Sequence, residues 1–371
     1  MPRPLPPLID IAAGRPAEAR VSLVASAVEH RMTGLLLTAY QAGRIDLPDE
    51  DVTSLVAADL ATAARHTELW GVLTLTLQRL AEIGIEALAI KGVTNERRWY
   101  ARTGERPCSD VDIVLAPHCV DRVDEALAVL APHLPFIEEA TALVRQRRLQ
   151  HVHFTLSDAS VDLHLDPLKL GMWTRQPELW WSTTRTVAAP DSTEVRVLAP
   201  EIALVSALTH LNKDRFAYLG AYAEVALIMD DADLDWARLV GFVEAEGLDV
   251  PVWASLTEVV DRLGLRPPRA LPDPGGWQRR LWEGVWPAER RLGGDDARSR
   301  GRKRQLMIPV TSRGRSGDAV AEFRRSLLPP RGLFAVHADG AASGHGYLRR
   351  VSIDRLVGAA REAQRGAPGE D

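Results

Sequence analysis

Apolar residues recur every three or four positions over residues 21–40 and again over 51–82, the spacing of a helix that buries one side. In the second stretch Leu69, Val72, Leu73, Leu77 and Leu80 form a continuous stripe, as expected of a helix packed inside its own domain. Gly84 ends that stretch, and residues 86–90 (EALAI) are a short apolar run of the buried-strand type. From there the period switches repeatedly. Residues 93–102 read as helix, Asp110 to Leu115 (DVDIVL) as a strand with its polar residues on one face, and 118–130 as helix carrying Val120, Val123, Leu127 and Leu130. HVHFTL from His151 and VDLHLD from Val161 both alternate. The four-residue, mostly polar connection Ser157, Asp158, Ala159 and Ser160 between them predicts a β-hairpin.

Beyond Pro200 the pattern is helical again, in four helix-length runs at 199–213, 217–231, 234–247 and 251–264. Asp235 precedes the third as a helix cap. Residues 267–318 are rich in Pro, Gly and Arg and read as irregular. The chain thus divides into an N-terminal helical region (1–80), an α+β domain (81–198), a helical C-terminal domain (199–350) containing that irregular stretch, and a terminal helix or tail (351–371).

Composition narrows the function classes. With 371 residues, 46% apolar and 26% charged, the chain can build one large core or two ordinary ones. A net charge of −5 argues against a protein that coats nucleic acid. Residues 266–350 nevertheless carry 18 basic against 8 acidic side chains, densest in the run Arg298, Arg300, Arg302, Lys303, Arg304. Such a run is either a solvated surface or a docking site for phosphate, RNA or an acidic partner. Two cysteines, Cys108 and Cys119, rule out a disulfide framework or a four-cysteine zinc site. No apolar stretch approaches the ~20 residues of a membrane span, and the opening MPRPLPPLIDIAAGRP lacks the layout of an export signal. A cytoplasmic protein with no membrane partner is the expectation.

The chemistry concentrates between Lys91 and Leu115. Asp110 and Asp112, two residues apart on a strand, project from the same face. Two neighbouring carboxylates need a compensating cation, and oxygen ligands select Mg²⁺ or Mn²⁺. Lys91-Gly92 follows a strand and opens a helix, where backbone N–H groups and the lysine favour a phosphate. Asp162 on the second hairpin strand supplies a third carboxylate. A turn symmetric about residues 157–160 sets Thr155 opposite Asp162, His153 opposite His164 and His151 opposite Asp166.

This set resembles the DNA-polymerase-β-type nucleotidyltransferase superfamily. It is more closely similar to the bacterial "uncharacterised nucleotidyltransferase" family, on Lys91-Gly92, Tyr100, Arg106-Pro107, Asp110-Val111-Asp112 and Asp162-Leu163-His164. The helical half matches as well, at PEIALVSALTHL with His210, at LDWARLV with Trp236 and at LLPPRGLF and GYLRR, so the likeness runs from about residue 60 to 350. Leu165 stands where the family commonly has Trp, and the wider superfamily's Gly-Ser is absent. The resemblance implies an α+β fold, with a polymerase-β-like mixed sheet flanked by helices and an all-α C-terminal domain. It also implies a metal-dependent transfer of an NMP from an NTP to a hydroxyl or amine, with release of pyrophosphate. In that scheme Asp110, Asp112 and Asp162 are catalytic and hold the metals, and Lys91, Gly92 and Arg106 bind the nucleotide. His164, His153 and Tyr100 support them. Arg106 alternatively braces the carboxylates.

The acceptor is expected to be a small molecule or peptide, with an RNA or tRNA end, or a non-catalytic nucleotide-binding role, as alternatives. His151, His153, His164 and Asp166 also admit a zinc hydrolase, a reading that leaves Lys91-Gly92 and the Asp110-Asp112 pair without a role. His210 fits a capping or core role. Trp173, Trp180 and Trp181 fit core packing better than base stacking, and Cys108, with no evident histidine partner, fits a small buried residue.

Overall fold

A computed structural model describes residues 4–147, 149–168, 173–214, 216–268, 270–273, 276–285 and 291–292. The basic run at 298–304, most of 267–318 and the 351–371 tail lie outside these residues. The chain opens with helices α1 (Pro6–Ala12), α2 (Val24–Glu29), α3 (Thr33–Gln41) and α4 (Asp49–Glu82). Strand β1 (Ala87–Ile90) leads through a tight turn into α5 (Gly92–Trp99), and β2 is Asp110–Leu115. A 3₁₀ turn (Pro117–Arg122) runs into α6 (Val123–Leu130), followed by α7 (Ile137–Arg145). The hairpin is β3 (His151–Leu156) and β4 (Ala159–His164), and α8 (Pro177–Trp181), β5 (Arg185–Ala188) and β6 (Glu194–Val197) follow. Helices α9 (Pro200–Lys213), α10 (Leu219–Met229), α11 (Trp236–Glu246), α12 (Asp249–Leu263) and α13 (Gly276–Val285) complete the described chain.

Several expectations shift. The helical stretch at 21–40 is broken into α2 and α3 where Arg31 takes a positive φ of 59°. There the carbonyl of His30 accepts the amide of Gly220 at 2.9 Å. A Cβ at Gly220 would lie 2.7 Å from the Arg31 carbonyl oxygen, so only glycine permits this approach. The run expected at 118–130 begins as the 3₁₀ turn. The short strands β5 and β6 and helices α1 and α7 are not evident from periodicity, and α13 forms within the stretch expected to be irregular. Asp235 does cap α11, accepting the amides of Ala237 and Arg238.

The six strands form one mixed sheet in the order β3-β4-β2-β1-β6-β5. β2 is parallel to β4 and antiparallel to β1, β1 is parallel to β6, and β3 is antiparallel to β4. One sheet face, with Val111, Ile113, Leu115, Val152, Phe154, Val161 and Leu163, shares a core with Leu69, Val72, Leu73 and Leu80 of α4 and with α6 and α7. On the other face Leu88, Ile90 and Val114 join a second core made by the N-terminal helices and α9 to α12. The 34-residue α4 places Leu55 in that second core and Leu69–Leu80 in the first, so the N-terminal helices are part of both layers.

Candidate active site

The same face that is apolar at β1 turns polar across β2, β4 and β3. Residues alternate faces along a strand, and partners in register share a face. The parallel β2–β4 register pairs Asp110 with Ser160, Asp112 with Asp162 and Val114 with His164. Asp110, Asp112 and Asp162 therefore meet on one side of the sheet. The expected hairpin register is corrected: β3 and β4 set His151 opposite His164, His153 opposite Asp162 and Thr155 opposite Ser160. The connection is a two-residue turn, with Ser157 at φ 48° and Asp158 at φ 63°, instead of four residues. Shortening a hairpin loop by two residues slides the partners along without exchanging faces, so His151 and His153 still lie on the carboxylate side.

Lys91 sits at the strand-to-helix turn with φ 58° and ψ −149°, a region that costs a non-glycine residue about 1–3 kcal/mol. Gly92 follows at φ 47°, and the two reversals fold the Lys91 side chain back over β2. Its ammonium lies 3.4 Å from Asp112 Oδ1. The same oxygen is 2.6 Å from His164 Nε2, on a ring that is fully buried. His164 thus orients Asp112 on the neighbouring strand, not Asp162, and it stacks near His151 with ring centroids 5.4 Å apart. Asp162 instead pairs with the exposed His153, 2.8 Å from Nδ1 to Oδ1. Burial, then the charges of Asp112 and Asp162, push the Asp110 carboxyl above the usual carboxylate range.

Asp112, Asp162 and His164 each present one ligand atom within 4.8 Å of the others. The hard carboxylate oxygens of Asp112 and Asp162 suit Mg²⁺ or Mn²⁺, the imidazole is compatible with Mn²⁺, and Asp110 lies on the same sheet face but outside this cluster. The zinc quartet does not assemble. β4 ends at His164, and the buried Asp166 spends its oxygens on the amides of Leu168 and Thr174 and on the Thr174 hydroxyl at 2.7–2.9 Å.

Arg106 reaches neither Asp110 nor Asp112. Its Nε lies 2.9 Å from Glu224 on α10, whose other oxygen accepts from Asn95 of α5 at 2.5 Å. Burial works against the charge of Glu224, and Arg106 with Asn95 more than offsets it, holding this carboxyl below its ordinary range. Arg106 therefore braces a carboxylate of α10. With Lys91, Tyr100, His210 and Tyr218 it lines a cavity of about 70 Å³ between the β1–α5 turn and α9–α10. His210 Nε2 pairs with Asp214 at 3.2 Å. Burial, then the Glu224 carboxylate, pushes the Tyr100 hydroxyl well above its ordinary value.

Cys108 does have a histidine partner. His66 of α4 lies with Nε2 2.9 Å from its Sγ and Nδ1 2.6 Å from Glu96 of α5. The other Glu96 oxygen accepts the amides of Gly104 and Arg106 at 2.9 and 3.1 Å. Burial pushes the Cys108 thiol up to about 12, so it stays protonated and donates to His66, which leaves the imidazole N–H for Glu96. This chain of hydrogen bonds anchors the segment leading into Asp110, and the separation of 42 positions between His66 and Cys108 hides it from any local pattern. Trp180 is buried and Trp173 nearly so, while Trp181 packs against Trp180, His118 and Arg196, so the three tryptophans are packing residues.

No curated protein matches the chain. A solved structure, described as an antigenic nucleotidyltransferase-like protein from Paracoccidioides brasiliensis, is 12% identical over 54% of this chain and 94% of that one. Its TM-score is 0.31, too low to bear on the site. No helix among the described residues is long and apolar enough to cross a membrane. A family model described as "Uncharacterised nucleotidyltransferase" matches residues 19–264, beginning earlier and ending sooner than the motifs alone suggest. That match takes in the strand-to-helix turn, all three carboxylates and the helices behind them, and the chain belongs to the uncharacterised nucleotidyltransferase family.

Proposed function

We propose that the protein transfers a nucleoside monophosphate from an NTP to a hydroxyl or amine of an acceptor, releasing pyrophosphate. The single observation that carries this reading is the meeting of Asp110, Asp112 and Asp162 on one sheet face with the Lys91 ammonium beside them. Asp110, Asp112 and Asp162 would hold Mg²⁺ or Mn²⁺, which when bound offsets their charge and that of the phosphates. The Lys91 ammonium and the amides at the start of α5 bind the polyphosphate tail. Strain at Lys91 is consistent with that role, since an unfavourable backbone is kept where a side chain must be aimed.

In the reaction, the acceptor oxygen or nitrogen attacks the α-phosphorus in line. A bond forms there as the bond to the β-phosphate bridging oxygen breaks. Asp162 accepts the acceptor proton, with His153 hydrogen-bonded to it. His164 keeps the Asp112 carboxylate turned toward the site.

The test is incubation of the purified protein with each α-labelled NTP and Mn²⁺, with and without a cell extract, followed by mass spectrometry for a nucleotidyl adduct. A labelled adduct and pyrophosphate release that both require Asp112 support the reading. Nucleotide that binds equally well with and without metal and yields no pyrophosphate would point to a non-catalytic binding protein.

A further inference from the structure

The hairpin leaves one side of the sheet open beside the candidate site. The amide of Leu165 donates to the Gln150 carbonyl at 2.8 Å, which identifies 150–165 as a hydrogen-bonded pair of the antiparallel ladder. Counting along the register, Val152–Leu163, Phe154–Val161 and Leu156–Ala159 are hydrogen-bonded pairs too. His153 and Thr155 fall on the alternate positions, so their N–H and C=O groups point away from β4. β3 is the terminal strand of the sheet, and no described strand pairs with that side.

A groove of about 870 Å³ runs along this edge, walled by Arg79 of α4 and by the α6–α7 loop with Pro132, His133, Pro135 and Phe136. The two prolines lack N–H groups, so the wall flanks β3 without pairing to it. Six strand residues span about 20 Å, which gives the groove a cross-section on the order of 40 Å². One extended chain, about 4.8 Å wide in its sheet and about 10 Å thick, needs about that. Arg79 and the histidines 133, 151 and 153 line it, with no carboxylate among its lining residues.

We infer that this groove docks an extended, acidic polypeptide segment as an added strand on β3, which makes the acceptor a protein or peptide. The acceptor clause rests on the transfer reading above; the docking clause does not. Main-chain groups of His153 and Thr155 supply the pairing, and Arg79 supplies the charge complement. His153 both lines the groove and bonds Asp162, so a docked chain runs past the side chain that touches this carboxylate. Two strand spacings, about 10 Å, separate the docked strand from β4. The modified residue therefore belongs to the part of the segment that leaves the groove and crosses over His153.

The probe is a random twelve-residue peptide library displayed on phage, selected against the full-length protein without nucleotide or metal. Selected peptides are then synthesised and titrated by fluorescence anisotropy. The expected result is enrichment of Asp- and Glu-bearing peptides whose binding weakens at least about tenfold in Thr155→Pro, which removes an outward N–H while sparing the β4 ladder. Arg79→Glu, which touches no pairing group, gives the same loss independently should the proline variant fail to fold. No enrichment, peptides without acidic residues, or peptides that bind both variants as tightly as the wild type would overturn the proposal. Because binding is read without NTP, loss of the docking result leaves nucleotidyl transfer standing, and the reverse holds equally.

Discussion

Replacing Asp112 by Asn is the sharpest probe of the carboxylate face. The side chain has an attractive neighbour in Lys91 at 3.4 Å and repulsive ones in Asp162, one strand away, and Asp110, two residues along. With an effective dielectric near 20, the attraction is about 5 kcal/mol, and the repulsions are about 3 and 2 kcal/mol at ~5 and ~7 Å. Among these three neighbours attraction and repulsion nearly cancel, and the amide can still accept the hydrogen bond of His164. The melting temperature of the metal-free variant sets the baseline against which the effect of the cation is read. In the proposed site a bound cation would lose a negative ligand. Mn²⁺ should raise the melting temperature of the wild type and leave that of Asp112→Asn unchanged. Transfer should drop by at least about 10³-fold, the scale of losing a charge-stabilising group at a reacting centre. Thermal melts with and without Mn²⁺ and pyrophosphate release from the productive NTP read both effects. A variant that keeps its Mn²⁺-induced shift and its turnover would refute the assignment of Asp112.

Glu224→Leu should destabilise by about 3–5 kcal/mol in urea unfolding, because it strands the buried Arg106 guanidinium. Adding Arg106→Met should recover most of that loss, whereas an additive double variant would mean the pair is not coupled. Asp166 titrates with its carboxyl pushed up to about 6 by burial. A raised carboxyl pKa contributes stability below the unfolded value of about 3.9 and loses it as pH rises through 6. Relative to Asp166→Asn, the wild type should therefore lose about 2 kcal/mol between pH 4 and 7. A difference that stays constant with pH would exclude this.

Much of the site is local and hence readable along the chain. A two-residue period puts Asp110 and Asp112 on one face however the strand is later packed, and the bounds of β2 and β3 follow directly from their alternation. Lys91-Gly92 between a strand and a helix is likewise a local signal. The hairpin register was not readable in that way. Ser157-Asp158 carries neither the glycine nor the asparagine that usually marks a two-residue turn with positive φ, so the tighter turn and the His153–Asp162 pair escape a reading by symmetry. Because the difference is two residues, the face of Asp162 is unaffected and only its neighbour changes.

Composition and periodicity by themselves determine a helical, then mixed, then helical chain, and they place the Asp110–Asp112 pair and the Lys91-Gly92 turn within it. Only the tertiary structure decides that β4 lies parallel to β2, which brings Asp162 level with Asp112 across 50 residues of chain. It likewise decides that His66 finds Cys108 and that Glu224, 118 residues on, claims Arg106. The division has a physical cause. Side-chain direction along a strand or helix is set by backbone geometry every few residues. Which strands and buried charges become neighbours is set by how whole faces exclude water, and by the requirement that each polar group taken inside find a partner.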